Sequence, residues 1–424
     1  MPPPIRAHMK RLLYFSDCPI FGGSEMILVH LGRDRAIRSR FEIHFAYRAH
    51  KEYRDAAVKY FPKEVTRHPL FLLSNSTLFY RMNLVRGEGA VARWFMRLLK
   101  LPLFLVSRSG IYDAYNFLAL YRLFHRVRPD ILHINNGGYP GAESCRIAVF
   151  SAKAAGIQRI VFTVNNLAFQ QKGPLDRAMD RYIARRVDVF TVASKQAWNE
   201  LSQKRGIPIE KIRQIFSAIE ERNVVMPREV VCDRFQIPKD KKILMQVGLL
   251  TKRKGQIHLL EAFRRIRELK PDVYRQLVLV LVGNGEDEAS LKSYVRQHEL
   301  TETVIFTGYQ AEYDSFINAS DLFILPSIAN EDMPLVILEA MYLGKPIIAS
   351  RLAGISEQIE DGVSGVLISP DKMEGLAEAV LQMLENPEAM VQYGRNARRR
   401  YEEIFSTAST TRKFLELYGT VLQE

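Results

Sequence analysis

The stretch that most constrains the fold is residues 320–370, because it contains one strand-helix-strand unit with clear boundaries. Residues 322–325 and 346–350 are short apolar runs of strand length, and residues 334–343 between them have the length of a helix. Pro334 suits the first helical turn, Gly344 suits a left-handed end, and Pro346 prevents continuation. The pattern predicts two parallel strands joined by a helix, which is typical of an α/β fold.

Two carboxylates in this unit are candidate ligand contacts. Glu331 precedes the predicted helix, and Glu339 lies inside it between Leu338 and Ala340. A carboxylate in such an apolar helix needs a hydrogen-bond partner, and ligands bind beyond the carboxyl ends of parallel strands. The free N–H groups of the helix start favour a phosphate. The residues therefore indicate a ligand with phosphate and hydroxyls, although a solvated Glu331 and a Glu339 paired with a local Lys or Arg would also fit.

The two glutamates carry a resemblance to a known family. Glu331 and Glu339 are separated by seven residues, and the sequence continues from Glu339 as EAMYLGKPIIAS and then as GISEQIEDGVSG. This segment resembles the EX7E nucleotide-sugar signature of the retaining family 4 glycosyltransferases. The resemblance implies the GT-B fold, an α/β architecture of two Rossmann-like doubly wound domains that face each other across a cleft.

Length and pattern predict the domain organisation. A chain of 424 residues is too long for one core and suggests two domains. We expect an acceptor-binding domain at 1–220 with a helical basic insertion at 69–129, and a linker at 221–240. A nucleotide-sugar-binding domain at 241–404 follows. Residues 405–424 are expected to form a helix that crosses back to the first domain, and Asp371 with Glu374 predicts a capping box for a helix ending near residue 384.

The resemblance assigns ligand contacts in the first domain. Gly22 and Gly23 follow the predicted strand 11–16 and allow close backbone approach to a ligand; they resemble the GGAE loop of the family, with Ser24 in place of Ala. Family members commonly have a histidine after the strand at 160–164. Asn165 or Asn166 would have to supply that hydrogen bond here, without its charge.

In the second domain, the resemblance assigns residues that contact the nucleotide-sugar donor. Glu331 would hold sugar hydroxyls, Glu339 the ribose, and Lys254, with the helix N–H groups, the charge on the departing diphosphate. The family's arginine is replaced by Leu249, and Lys252 or Arg253 could compensate, although a KRK run is usually a solvated turn. Gly308 to Gln310 would lie beside the base. The catalytic candidates are Glu331, Lys254, Asn165 and Asn166. The substrate-binding candidates are Gly22, Gly23, Arg253, Gly308, Tyr309, Gln310, Met333, Leu335, Val336 and Glu339.

Charge is distributed unequally along the chain. Residues 1–240 hold 39 Lys and Arg against 21 Asp and Glu, whereas residues 241–424 hold 21 against 26. The first half therefore favours an anionic partner. Within the insertion, basic residues such as Arg93, Arg97 and Lys100 accompany Trp94 and Phe95, which predicts a helix on an anionic membrane. Ordinary helices with solvated basic faces would give the same pattern. Specific nucleic-acid binding is not expected, because the basic residues alternate with aliphatic rather than stacking side chains.

Other features favour a cytoplasmic protein, with peripheral association with the cytoplasmic membrane face. No signal peptide and no run of about 18 apolar residues is visible. The three cysteines suit neither a disulfide framework nor a metal cluster, and we expect neither a cofactor nor a metal.

The predicted function is transfer of a sugar, with retention, from a nucleotide diphosphate sugar such as a UDP- or GDP-sugar to an acceptor hydroxyl. The acceptor would be a glycan or a lipid-linked acceptor. The reaction would belong to glycolipid, polysaccharide or other cell-envelope glycan synthesis. Two alternatives remain. One is a nucleotide-sugar epimerase of the same architecture. The other is a catalytically impaired binding protein that acts at a membrane or on nucleic acid.

Overall fold

A computed structural model describes residues 9–18, 21–74, 110–221, 226–329 and 331–423. Residues 75–109, and with them most of the predicted basic insertion, lie outside the described residues. The chain divides into two compact units. The first unit falls within Met1–Ala193, Ala197–Ile215 and Thr411–Glu424, and the second comprises Ser194–Gln196 and Phe216–Thr410.

The first unit is built on a seven-stranded sheet in the order β3-β2-β1-β4-β5-β6-β7, in which every described pair is parallel. Its strands are β1 Lys10–Ser16, β2 Phe41–Arg48, β3 Thr66–Leu70, β4 Ile131–Asn136, β5 Arg159–Val164, β6 Val189–Val192 and β7 Ile212–Gln214. The central strands are buried runs, and all six residues of β4 are buried although its sequence, ILHINN, includes polar side chains. Such runs are expected in a sheet covered on both faces.

The helices of the first half of the chain follow the strands in alternation. They are α1 Gly23–Arg33, α2 Arg35–Arg40, α3 Lys51–Tyr60, α4 Ile111–Val127, α5 Glu143–Ala154, α6 Pro174–Arg186 and α7 Lys195–Arg205. A core of aliphatic and aromatic side chains from α4, α5 and strands β1, β4, β5 and β6 includes Leu120, Phe124 and Phe162, all fully buried. The alternation places this unit among doubly wound α/β folds.

The second unit has a six-stranded parallel sheet in the order β10-β9-β8-β11-β12-β13. Its strands are β8 Lys242–Val247, β9 Leu277–Val282, β10 Val304–Gly308, β11 Leu322–Leu325, β12 Ile347–Ser350 and β13 Val366–Ile368. The helices are α8 Arg228–Phe235, α9 Gln256–Leu269, α10 Pro271–Tyr274, α11 Glu288–Gln297, α12 Tyr313–Ala319, α13 Leu335–Tyr342, α14 Ile355–Gln358, α15 Leu376–Leu384 and α16 Pro387–Arg400. When β8 is counted as the first strand, this order is the 3-2-1-4-5-6 arrangement of dinucleotide-binding domains.

The structure corrects several sequence expectations. The helix expected from residue 334 begins at Leu335, because Pro334 has extended backbone angles and caps it. The segment 221–240, predicted as a linker, contains helix α8. The capping box of Asp371 and Glu374 is wrong: these residues lie within the 3₁₀ segment Pro370–Gly375, and α15 starts after it without a side-chain cap. Strand β3 lies where the basic insertion was expected to begin.

The last helix, α17 Thr407–Gln423, begins in the second unit, and from Thr411 its residues belong to the first. In the first unit, the ring of Phe414 stacks on His133 with centroids 5.4 Å apart. The hydroxyl of Tyr418 lies 2.7 Å from Nδ1 of the same histidine. The end of the chain therefore contributes to the core beneath β4. Among the described helices, none is both long and apolar enough to cross a membrane.

Candidate functional site

A tight turn after strand β8 carries the two basic candidates of the second unit, Arg253 and Lys254. The 3₁₀ segment Lys252–Lys254 ends at Gly255, whose φ is +69°. A Cβ atom at Gly255 would lie 1.9 Å from the carbonyl oxygen of Pro326, so only glycine fits. The Ile328 N–H donates to the carbonyl of Arg253 at 2.8 Å. The turn is therefore fastened to the loop that follows β11.

Glu331 is the centre of a charged cluster at the carboxyl edge of this sheet. Its Oε1 lies 2.5 Å from Nζ of Lys254 and 2.9 Å from Nη1 of Arg253, and it accepts a hydrogen bond from Ser327 Oγ at 3.1 Å. Glu331 is only 6% exposed and Lys254 8%. Burial lowers the pKa of Lys254, and the Glu331 carboxylate partly opposes this shift. The structure thus brings three predicted site residues together, with two cations on one carboxylate.

Glu339 lies on the second turn of α13 and is buried. Its Oε1 accepts a hydrogen bond of 2.6 Å from the hydroxyl of Tyr313 on α12. The carboxylate of Glu339 therefore has a tyrosine hydroxyl as one of its hydrogen-bond partners. Tyr313 was not predicted, because it precedes Glu339 by 26 residues and no local pattern connects them.

The remaining candidates of the second unit differ in exposure. Met333 is buried, while Leu335 and Val336 at the start of α13 are half-buried. Tyr309 is 71% exposed, and the side-chain amide of Gln310 donates to the carbonyl of Thr307 at 2.8 Å. Gly308 ends β10 with a left-handed φ of +69°. Among the described residues, no hydrogen bond or ion pair joins Gly308, Tyr309 or Gln310 to the Glu331 cluster.

Leu249, at the position where the family has arginine, is 53% exposed. It lies two residues after the end of β8, and its carbonyl accepts a hydrogen bond from the side-chain amide of Gln256 at 2.9 Å. The guanidinium that reaches Glu331 instead comes from Arg253. That Arg253 takes the place of the family's arginine stays a prediction.

In the first unit, the glycine pair lies at the carboxyl end of β1. Gly22 caps α1, and its N–H donates to Oε2 of the fully buried Glu25 at 3.0 Å. Ser16 and Ser24 also donate to this carboxylate, at 2.9 and 2.8 Å. Burial raises the pKa of Glu25, and these hydrogen bonds oppose the rise. The buried glutamate thus fixes the shape of the loop that carries Gly22 and Gly23.

The asparagine candidates have separate surroundings. The amide of Asn165 donates to Oδ1 of Asn135 at 2.8 Å and to the carbonyl of Asn136 at 3.0 Å. Asn135 in turn donates to the carbonyl of Ser24 at 3.0 Å. Asn165 is therefore linked to the glycine loop through Asn135. Asn166 is exposed, and its Oδ1 accepts from the N–H of Leu167 at 2.8 Å.

A buried ion pair at the same edge was missed by sequence reasoning. Nε of Arg48 lies 2.5 Å from Oδ1 of Asp17, and Nη2 lies 2.7 Å from Oδ2, while Ser144 also donates to Oδ2. Asp17 follows Ser16, and Arg48 follows Tyr47, which pair in the register of β1 and β2. An acid and a base at the carboxyl ends of two predicted strands were a partial signal, but the pair also depends on the adjacency of β1 and β2.

This ion pair lines a cavity of about 620 Å³ within the first unit. Other polar groups reach it from helices α4 and α5, including Asp113, Glu143 and Arg146. Arg146 lies 2.5 Å from both Glu143 and Asp176. Burial raises the pKa of Asp113, and the nearby Glu143 carboxylate adds to the rise. The cavity offers donors and acceptors with nearly balanced charge, which suits a hydroxyl-rich ligand.

Comparison with known families agrees with this architecture. Residues 86–222 match the model described as Glycosyltransferase Family 4, and residues 228–400 match Glycosyl transferases group 1. The chain therefore belongs to the family 4, group 1 glycosyltransferases. The predicted GT-B fold with two Rossmann-like domains is confirmed. A crystal structure of Anabaena HepE in complex with UDP superposes with a TM-score of 0.73 at 16% identity, covering 97% of this chain and 100% of that chain.

Two curated relatives illustrate the range of the family. N-acetyl-alpha-D-glucosaminyl L-malate synthase of Bacillus anthracis is 29% identical over 239 residues, which are 56% of this chain and 61% of the relative. An Escherichia coli UDP-Gal:alpha-D-GlcNAc-diphosphoundecaprenol alpha-1,3-galactosyltransferase is 24% identical over 73% of this chain and 80% of its own length. For several relatives, the chain spans only about three fifths of their length.

Proposed function

We propose that the protein transfers a glycosyl group from a nucleotide diphosphate sugar to an acceptor hydroxyl, with retention of anomeric configuration. The observation that carries this proposal is the cluster of Lys254 and Arg253 on Glu331, beside the start of α13. Two cations on one buried carboxylate leave a positive surplus, which favours a polyanion such as a diphosphate. Glu339 on the same helix supplies an acceptor for ribose hydroxyls.

In the proposed mechanism, the diphosphate takes over Lys254 and Arg253 from Glu331. Charge-assisted hydrogen bonds from both cations then stabilise the phosphate oxygens as the sugar-phosphate bond breaks. Glu331, released from its cations, accepts hydrogen bonds from sugar hydroxyls. Because the positive charge comes from side chains, the proposal requires no metal and no cofactor.

Retention is proposed to follow from attack on the face that the leaving group departs from. The acceptor oxygen bonds to the anomeric carbon while the bond to the diphosphate breaks, and the acceptor proton passes to the leaving phosphate oxygen. Glu331 is not the nucleophile in this proposal, because in the donor complex its carboxylate accepts hydrogen bonds from the sugar hydroxyls and from Ser327.

We infer that the acceptor is a glycan or a lipid-linked sugar and that it binds the first unit. The cavity beside Asp17 and Arg48 supports this inference, because carboxylates and guanidinium groups in balance suit sugar hydroxyls. The galactosyltransferase relative, named for a diphosphoundecaprenol substrate, favours a role in cell-envelope glycan synthesis.

The test is a panel of UDP- and GDP-sugars, with nucleotide release measured with and without candidate acceptor glycans. We expect one donor to give acceptor-dependent release. An epimerase would convert the sugar without acceptor. A binding protein would be stabilised thermally by a nucleotide sugar, by about 2.7 kcal/mol at 100 times its Kd, without any release. Either of those two results would contradict the proposal.

A cytoplasmic location with peripheral membrane association is also proposed. Its basis is the basic sequence between Arg93 and Arg128, of which residues 93–109 lie outside the described residues. Each cation near an anionic surface contributes about 1 kcal/mol. Flotation with anionic liposomes should therefore weaken in an Arg93, Arg97, Lys100 triple glutamate variant. Equal flotation of the variant and the wild type would contradict the proposal.

A further inference from the structure

A second cavity, of about 610 Å³, lies at the opposite edge of the second sheet. Lys242 opens β8, Asp321 immediately precedes β11, and Lys345 lies two residues before β12. These positions are the amino ends of three parallel strands, whereas Glu331 and Lys254 follow carboxyl ends. The cavity is closed by α16, which contributes Arg395, among others.

The two acidic residues of this cavity already have cationic partners. Asp321 Oδ2 lies 2.9 Å from Nη1 of Arg228 and also accepts the N–H of Ile243 at 2.7 Å. Glu402 lies 2.6 Å from Nε of Arg398. Neither carboxylate is therefore available to neutralise the other cations that line the cavity.

Four cations remain, of which Lys242, Arg395 and Arg399 are considered first. None of them has a carboxylate partner among the residues that the structure describes; Arg399 donates only to the amide oxygen of Asn396, at 3.3 Å. Arg395 and Arg399 are four residues apart on α16, a spacing at which like charges on a helix repel each other. A helix C-terminus favours cations, which accounts for Arg399 but not for Lys242 on a strand. The cavity therefore has a surplus of positive charge.

Lys345, before strand β12, adds to this surplus of positive charge. Its ammonium donates to the carbonyls of Ser320, at 3.2 Å, and Asn318. Burial lowers the pKa of Lys345, and the charge of Arg228 lowers it further, against the pull of Asp321. A bound anion would relieve this penalty.

We propose that this cavity binds a phosphate group, at a site separate from the donor site. Arginine side chains present forked donors that match phosphate oxygens, and a phosphate carries enough charge to balance several cations. The wall formed by Met390 and Val391, the latter 54% exposed, accommodates an apolar group attached to the phosphate. A phospholipid headgroup and a soluble phosphate ester share this chemistry.

Inorganic pyrophosphate is the first probe, titrated calorimetrically into a Lys254→Ala variant so that donor-site binding is weakened. Adding Arg395→Ala and Arg399→Ala should weaken the remaining binding by about 100-fold or more, because two charge-assisted hydrogen bonds to the anion are lost. The matched control adds Arg275→Ala and Arg296→Ala, two exposed arginines of the same unit that do not line the cavity.

Flotation with vesicles of phosphatidylcholine, with or without phosphatidylglycerol, is the second arm. Loss of flotation in Arg395→Ala with Arg399→Ala but not in the control identifies a lipid phosphate. An effect confined to pyrophosphate identifies a soluble ligand. If neither probe binds in a manner that depends on Arg395 and Arg399, or if the control pair loses binding equally, the proposal is wrong. Glycosyl transfer to a soluble acceptor should be unchanged when Arg395→Ala and Arg399→Ala are made in the protein that keeps Lys254, so the result is independent of the proposed function.

Discussion

The carboxyl edges of the two sheets hold their buried charges in different ways. In the first unit, Arg48 meets Asp17 through two contacts, so one cation balances one carboxylate. In the second unit, Lys254 and Arg253 share one oxygen of Glu331. A balanced pair stabilises the fold but has little attraction for an anion. A cluster with surplus charge can exchange its carboxylate for a ligand phosphate.

This difference agrees with the proposed division of substrates. The edge with surplus positive charge would take the diphosphate, and the balanced edge would take an acceptor with neutral hydroxyls. It also predicts that substitutions at the two edges have different consequences, on stability in the first unit and on catalysis in the second.

The largest expected effect is on stability, in Arg48→Met. The substitution leaves the buried Asp17 carboxylate with Ser144 as its side-chain donor, so the free energy of unfolding should fall by about 3–5 kcal/mol. Urea denaturation measures the loss. The double variant Asp17→Asn with Arg48→Met removes the unpaired charge and should recover part of the stability. A loss below about 1 kcal/mol in the single variant would remove the distinction between the two edges.

Next in size is the loss of turnover in Lys254→Ala, on the order of 100-fold, by analogy with removal of one preorganised donor to a developing anion. Stability should change less than in Arg48→Met, because Glu331 keeps Arg253 and Ser327. Initial rates of nucleotide release provide the measurement. Lys270→Ala, at an exposed lysine that follows α9, is the matched control. Turnover near that of the control would place Lys254 away from the phosphate.

A smaller effect should separate the two glutamates. Glu331→Gln should mainly lower kcat, since sugar positioning matters most in the transition state. Glu339→Ala should mainly raise KM, by about 10-fold, since the ribose contacts are alike in the ground state and in the transition state. Tyr313→Phe, which removes the hydrogen bond to Glu339, should change KM in the same direction but less. Steady-state kinetics with varied donor give both parameters, and equal changes of kcat and KM in the two glutamate variants would contradict the assignment.

The smallest effect concerns pH and the first unit. Burial lowers the pKa of His133 to about 3, below its ordinary value of 6.5, so the unfolded state binds the proton more readily. This contribution to stability is complete above pH 6.5 and decreases as the pH falls from there towards 3. Between pH 8 and pH 6, the loss should be about 0.8 kcal/mol.

His44 and His68, whose pKa values burial also lowers, act in the same direction. The His133→Gln variant is therefore needed to isolate one histidine. Urea denaturation at several pH values should show a shallower pH dependence in this variant than in the wild type. An unchanged dependence would show that His133 contributes nothing to it.

The second unit could be predicted further from the sequence than the first. Glu331, Glu339, the helix between β11 and β12 and its bounding prolines lie in one continuous segment, so local pattern was sufficient. Lys254 and Arg253 lie about 80 residues earlier, and only the resemblance connected them to Glu331. The hydrogen bond from Tyr313 was not predictable, because it depends on how α12 packs beside α13.

In the first unit, the missed contacts depend on strand order. Asp17 and Arg48 meet because β1 and β2 are neighbours in register, and Ser144 joins them from α5. The sequence predicted the strands but not which of them would be adjacent. Similarly, Asn165 was predicted as a sugar ligand, while its contacts to Asn135 and Asn136 depend on the pairing of β4 with β5.

The contacts of α17 with His133 also have a consequence for biosynthesis. Phe414 and Tyr418 leave the ribosome last, although the strand they cover is made from residues 131–136. During translation, the first unit must wait for the whole second unit before its core can close. We therefore expect the nascent chain to carry an unfinished, partly apolar surface for several hundred residues of synthesis, the stage at which chaperones act on such chains.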